Sequence, residues 1–236
     1  MTTFESILSP ISGGRILDVA TGRGSFTQTL IDCLKDYDEI IAIDSNDEFE
    51  AKYKEAFTGK AVAYQKMDAS SLEFADEGFD TVCISNSLHH MTDPTRVLGE
   101  MQRVLKPGGT FIISEMMRDG LSEAQKSHML MHHWGASINR GEGIFHNETY
   151  TRQELIDFAN NTTAKIWNLY DVAYLDENPK DPDTIEEVEK IINLYTQKTE
   201  KLPDPEMLKK RGQAIRERVH EVGFHGATAL VAIGVK

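Results

Sequence analysis

Arg15-Ile16-Leu17-Asp18-Val19-Ala20-Thr21-Gly22-Arg23-Gly24 runs from an apolar stretch into a glycine-rich turn, and Ser25 to Leu34 then places Phe26, Leu30, Ile31 and Leu34 at helical spacing. This reads as strand, tight loop, helix. Gly22 and Gly24 let the chain turn with positive φ and let a ligand approach the backbone, while the following helix presents free N–H groups. A nucleotide-like ligand suits such a turn. A dinucleotide fingerprint would need a third glycine where this chain has Thr27. Asp18 would also set a carboxylate beside a doubly negative pyrophosphate, whereas a ligand carrying an ammonium and a sulfonium is attracted by it.

Working outward, the same rhythm repeats. Glu39–Asp44 and Ala61–Gln65 read as buried strands around a helix from about Asn46 to Phe57, and Phe79–Ser85 reads as a fourth strand. Asp93-Pro94 starts a helix to about Leu105, with an N-cap acceptor and a proline at the first helical position. Lys106-Pro-Gly-Gly109 breaks it before a fifth strand, Thr110–Glu115. Five β units alternating with helices predict a parallel sheet covered on both faces.

Beyond Glu115 the pattern changes. Residues 117–150 are rich in Met, His and Gly and predict a helix near 121–134 followed by a loop from Gly135 to Tyr150. Thr151-Arg-Gln-Glu154 has capping-box spacing and opens a helix to about Asn160. Lys165–Tyr174 and Ala227–Lys236 are the sixth and seventh strands. Residues 176–224, punctuated by Pro179, Pro182, Pro203 and Pro205, carry helical patterns at 183–199 and 205–222. The whole chain, 1–236, reads as one domain with a lid at 117–150 and a helical insertion at 176–224.

The totals narrow the partners. Twenty-five basic against 38 acidic residues give a formal charge of −13, which repels a phosphate backbone and an anionic membrane surface. No stretch has the length and apolarity of a membrane span, and the first residues lack the pattern of a secretory leader. Cys33 and Cys83 lie in apolar patterns and suggest a reducing compartment rather than a disulfide framework. The expectation is a soluble, cytoplasmic protein with a small-molecule partner, no nucleic acid and no membrane span; a homo-oligomer is left open.

Ile16 to Gly24 resembles the first motif of class I S-adenosylmethionine (SAM)-dependent methyltransferases, an acidic residue followed by a Gly-x-Gly-x-Gly-like turn. Ala20 replaces the first glycine, which a backbone at negative φ accommodates. Asp44, twenty residues beyond Gly24, ends the second strand. A carboxylate there can accept both ribose hydroxyls, and the resemblance gives it that role, beside Ser45. Met67-Asp-Ala-Ser-Ser-Leu72 resembles the adenine-binding turn, with Asp68 accepting from the exocyclic amine and Ala69 meeting the ring edge. Ser85-Asn-Ser-Leu-His-His-Met91 and Leu105-Lys-Pro-Gly-Gly-Thr110 are similar to motifs of the small-molecule branch, the type 11-like group that includes quinone-biosynthesis methyltransferases. The matches cover residues 15–115. They imply a Rossmann-like doubly wound α/β sheet of seven strands, order 3-2-1-4-5-7-6 with the last antiparallel. They also imply SAM held by Asp18, Ala20, Gly22, Gly24, Asp44, Ser45, Asp68, Ala69 and Ser85, and in-line methyl transfer to a small acceptor that leaves S-adenosylhomocysteine.

His89 and His90 emerge at the carboxyl edge of the fourth strand, where either can serve as a base for the acceptor or orient the loop. His128, His132 and His133 share a predicted helix, but no acidic partner or cysteine completes a zinc pattern such as His-Glu-x-x-His, so no metal is expected. Trp134, Arg140, His146 and Tyr150 are the predicted acceptor contacts, with Met129 and Met131 packing in the lid. Three rivals stay open: a nicotinamide-dependent oxidoreductase, opposed by Asp18 and the missing glycine; a non-catalytic SAM-binding module; and an enzyme that uses SAM for another transfer.

Overall fold

Strands β1 (Arg15–Val19), β2 (Glu39–Asp44), β3 (Val62–Lys66), β4 (Phe79–Ser85), β5 (Leu105–Met116), β6 (Lys165–Val172) and β7 (Ala229–Val235) form one sheet in the order β3-β2-β1-β4-β5-β7-β6. The computed structural model describes residues 2–175 and 178–236. The first five strands are parallel, and β7 runs antiparallel to both β5 and β6. The predicted order and the predicted direction of the last strand are both present. The central strands are apolar on both faces, as a sheet covered on both sides requires: Ile16, Leu17 and Val19, then Ile40 to Ile43, are all buried.

One face packs under α4 (Pro94–Val104) and α6 (Arg152–Asn160), through Leu17, Ile43, Ile84 and Ile113 against Val97, Met101 and Leu155. The other packs under α1 (Phe4–Leu8), α2 (Ser25–Cys33) and α3 (Glu50–Ala56), through Ile16, Ile40 and Cys83 against Leu8, Phe26 and Leu30. Cys83 is buried and Cys33 half-buried; both are free. Val19 lies opposite Ile43 on one side and Ile84 on the other, so β1, β2 and β4 end level and open their turns on one edge.

The helix starts follow the local chemistry. Asp93 accepts from the Arg96 N–H with Pro94 at the first helical position, and Thr151 and Glu154 cap each other's backbone reciprocally. Two boundaries differ from expectation by five residues or more. Helix α5 (Glu123–Gly141) continues past 134, because Gly135 does not end it: a Cβ there would lie 2.8 Å from the Tyr195 ring, so the glycine admits that ring. Strand β5 starts at Leu105, with a shift in register between Phe79 and Thr81 of its partner that absorbs the Pro-Gly-Gly segment.

Helices α5, α7 (Pro182–Thr199) and α8 (Pro205–Val222) pack around Met131, Trp134, Ile138, Ile192 and Ile215. This layer contains the predicted lid helix and insertion; the expected start of the insertion at residue 176 lies outside the described residues. Among the described residues no helix is long and apolar enough to cross a membrane.

Candidate functional site

Above the level ends of β1, β2 and β4 lies a cleft of about 700 Å³, lined by Asp18, Ala20, Gly22, Asp44, Ser45 and Ser85 among the predicted cofactor residues. It is also lined by Phe26, Phe49, Asn86, His90 and Met91, and from the far side by Asn139, Ile144 and Phe145. Ile144 and Phe145 belong to the loop after α5 and are large apolar side chains left partly in solvent.

Asp18 is almost wholly buried at the bottom of the turn. Its Oδ2 accepts from Thr21 Oγ1 at 2.7 Å and Thr27 Oγ1 at 2.5 Å, and the Cys83 thiol approaches Oδ1 at 3.6 Å. Burial pushes its pKa up, against the hydroxyl bonds that stabilise the ionised form. Thr27 therefore holds the buried carboxylate at the place where a dinucleotide site needs glycine. Asp44 accepts from the Gly22 N–H at 2.8 Å and from the Asn46 N–H at 3.0 Å, one bond on each oxygen. Each oxygen keeps a second lone pair for a ligand.

The two glycines of the turn have different reasons. At Gly22, φ +54°, an added Cβ would meet nothing within 4 Å, so this position faces open space where a ligand can approach. At Gly24, φ +86°, a Cβ would lie 2.5 Å from Phe57 and 2.7 Å from Tyr53; this glycine lets the turn close on α3 and does not line the cleft. Ala20 has φ +55°, not the negative value expected, and sits in the left-handed region that glycine occupies without strain.

Asp68 and Ala69 are beside the cleft and do not line it. The Ser70 N–H donates to Asp68 Oδ1 at 2.8 Å, which holds the carboxyl below its ordinary pKa, and Ala69 packs in the core. The turn is nevertheless adjacent to Asp44, whose carbonyl accepts from the Met67 N–H at 2.9 Å.

Four histidines converge at the other end of the cleft. A ring nitrogen from each of His89, His90, His132 and His146 lies within 4.8 Å of one from every other. His90 and His146 pack at a tilt with centroids 3.9 Å apart, and His89 and His132 meet edge to face at 4.8 Å. His89 and His146 are buried; His90 reaches solvent at the cleft. Desolvation and the neighbouring His89 hold His90 down to about 4. Desolvation likewise takes His132 to about 2 and His146 to about 3. These rings are neutral at neutral pH.

Glu115, 1% exposed, organises the cluster from below. Its Oε1 accepts from the Ser87 and Leu88 N–H groups at 2.7 and 2.8 Å, and its Oε2 lies 3.1 Å from His89 Nδ1. Nothing in the fifth-strand pattern singles out Glu115 except a charge in an apolar run. Behind the cluster is a second cavity of about 240 Å³, lined by Asn86, His89, Met116, His128, His132, Ala227 and Ala229. Asn86 borders both spaces.

The predicted acceptor residues separate. His146 joins the cluster. Trp134 is fully buried among the helices, against Gly212 and Tyr195, and lines neither space, because α5 is buried by α7 and α8 on the face that carries it. Arg140 donates to the His146 carbonyl at 2.5 Å and to Ser137 Oγ at 3.1 Å; with Tyr150 it borders a different surface cavity of about 390 Å³. His128 and His133 do not join His132: His128 Nδ1 accepts from the Ala227 N–H at 2.9 Å, and His133 Nε2 accepts from the Thr149 N–H at 3.2 Å.

Sheet order and the antiparallel last strand are those of the class I methyltransferase Rossmann-like fold, with the cleft holding Asp18, Gly22 and Asp44 at its carboxyl edge. Residues 17–113 match a family model described as a methyltransferase domain. The ubiquinone/menaquinone biosynthesis C-methyltransferase UbiE of Teredinibacter turnerae is 32% identical over 122 residues, which are 50% of this chain and 49% of that protein. The chain thus matches about half the length of the curated relatives. Among solved structures, a putative methyltransferase from Bacillus halodurans superposes with a TM-score of 0.61 at 14% identity, covering 99% of this chain and 96% of the other. Haemonchus contortus phosphoethanolamine N-methyltransferase 2, solved with phosphomonomethylethanolamine and S-adenosylhomocysteine, superposes with a TM-score of 0.56 at 18% identity, covering 95% and 49%.

Proposed function

We propose that this protein binds SAM in the cleft over β1, β2 and β4 and transfers its methyl group to a small molecule held in the cavity behind Asn86. The observation that carries the reading is the adjacency of two spaces: a cleft with a free carboxylate lone pair at Asp44, and a smaller cavity of about 240 Å³ that shares Asn86 with it. The residues fit the cofactor. Asp44 has one unused lone pair on each oxygen for a ribose, Gly22 leaves room against the backbone, and Asp18 supplies negative charge near the turn. Asp68 and Ala69 are assigned the adenine end, next to Asp44.

When bound, SAM supplies a methyl group on a sulfonium, and the chain's own part is to align and to exclude water. Ile144 and Phe145 cover the cleft, while Asn86 and Met91 border its inner end. In a second reading, favoured by the placement of His90 on the cleft, His90 or His89 takes a proton from the acceptor. The depressed basicity of His90 makes it a weak base, so alignment carries the reaction.

Calorimetry with SAM, S-adenosylhomocysteine, NAD and NADP tests the cofactor, and S-adenosylhomocysteine release across a small-molecule panel tests the transfer. SAM and its product should bind while the dinucleotides do not. Equal or tighter binding of NAD would overturn the reading. SAM binding without S-adenosylhomocysteine release would favour a sensing module, and release of other SAM-derived products a different transfer.

A further inference from the structure

We propose that His89, His90, His132 and His146 bind a single divalent transition-metal ion on the wall between the cleft and the inner cavity. The four rings come from three parts of the chain: the turn after β4, helix α5, and the loop after it. Four imidazoles crowded together leave three buried ring nitrogens unserved. His89 Nε2, His132 Nδ1 and His146 Nε2 are buried and lack a hydrogen-bond partner among the described residues. An unsatisfied buried nitrogen costs free energy that coordination would recover.

The geometry and the donor set both suit an ion. Tetrahedral zinc with bonds of about 2.1 Å separates its ligand nitrogens by about 3.4 Å. The observed span of up to 4.8 Å closes on that figure by small ring rotations. Imidazoles without thiolate or carboxylate select zinc, copper, nickel or iron over magnesium or calcium. A chain of formal charge −13 favours a cation.

The supporting layer is present for one of the ligands. Glu115 receives the Nδ1 proton of His89 and so leaves Nε2 as the lone pair, the carboxylate–histidine arrangement that orients metal-binding rings. Asn139 Nδ2 donates to His146 Nδ1 at 2.9 Å, so this amide would have to turn over, presenting its oxygen, for His146 Nε2 to offer a lone pair to an ion. Because His90 is the one exposed ligand, its position is the one a donor atom of the acceptor can replace. That last role rests on the methyl-transfer reading; the ion site itself does not.

The test uses the full chain, stripped with a chelator and titrated with Zn²⁺ alone by calorimetry, without SAM. One ion per chain should bind, and His132→Asn and His146→Asn should each weaken it by about tenfold or more. His220→Ala, an exposed histidine on α8, should leave the affinity unchanged. If a buried variant fails to fold by circular dichroism, His90→Ala replaces it with the same expected loss. No saturable binding, or equal affinity in wild type and the cluster variants, overturns the site. Since the readout needs no SAM, a protein that takes the ion and releases no S-adenosylhomocysteine sinks only the methyl-transfer reading.

Discussion

Glu115 Oε2 stands 3.1 Å from His89 Nδ1, with both side chains 1% exposed, while the other carboxylate oxygen takes two backbone N–H groups of the same turn. One buried acid therefore fixes both the path of residues 87–89 and the tautomer of the imidazole. Glu115→Gln is nearly isosteric but can keep only one of these functions: if its oxygen serves the backbone, its NH₂ faces Nδ1 and the ring proton moves to Nε2. Nitrogen NMR of the histidines should show that tautomer change. Zn²⁺ affinity should fall by about 10–100-fold, the usual effect of losing the group behind a ligating histidine. An unaltered tautomer in a folded variant would remove Glu115 from this role.

Asp44→Ala should weaken SAM binding by on the order of 1–3 kcal/mol, the scale of lost charge-assisted hydrogen bonds, and also release the Gly22 N–H. Calorimetry reads the loss. A folded variant with wild-type affinity would place the ribose elsewhere.

The first turn makes two opposite predictions for stability. Ala20→Gly should stabilise the fold by about 1 kcal/mol, because the left-handed conformation at φ +55° costs alanine roughly that much more. Gly24→Ala should destabilise by about 2 kcal/mol or more, since its Cβ would fall 2.5 Å from the Phe57 ring in addition to the backbone strain. Urea denaturation measures both, and equal midpoints for the two variants would contradict the contrast.

Stability should fall on acidification. Arg103 beside Glu100, with the Leu72 N–H, holds Glu100 below its ordinary 4.5, and the Lys106 bond holds Asp80 below its own value. A carboxylate with a lower pKa in the folded state stabilises above its unfolded pKa, and that contribution is lost as pH falls through the folded value. The decline should begin as pH falls below about 6.5, where the unfolded histidines take protons that His90, His132 and His146 in the folded chain do not, and it should steepen below about 4.5 as these carboxylates protonate. Glu100→Gln should make the acid limb shallower in urea denaturation curves; an unchanged limb would exclude the pair.

The loop after α5 should become protected when SAM binds, since Ile144 and Phe145 border the cleft and are partly exposed without it. Hydrogen exchange with and without SAM reads this. Equal, strong protection in both states would make it a fixed layer.

What could be read in advance was what short-range pattern encodes. The strand, turn and carboxylate from Arg15 to Gly24, the acidic end of the second strand and the caps at Asp93 and Thr151 each lie within a few residues, and each stands where expected. The backbone sign at Ala20 was not legible, because a single alanine is compatible with either φ. Gly135 misled, since a glycine that admits a distant tyrosine looks the same in sequence as one that ends a helix. Trp134 misled because the helices that bury it lie far along the chain. The histidine cluster was invisible to spacing: its members are separated by more than forty residues between the turn and the helix, and the helical neighbours that shared a face turned out to be bonded to backbone instead.

The Asn147 N–H donates to the His89 carbonyl at 2.8 Å, and His146 beside it packs on His90. The cover is thus tied to the sheet by the same few atoms that assemble the histidine group, so the loop cannot lift without pulling that group apart. An ion held by the cluster would act as a clasp on that loop.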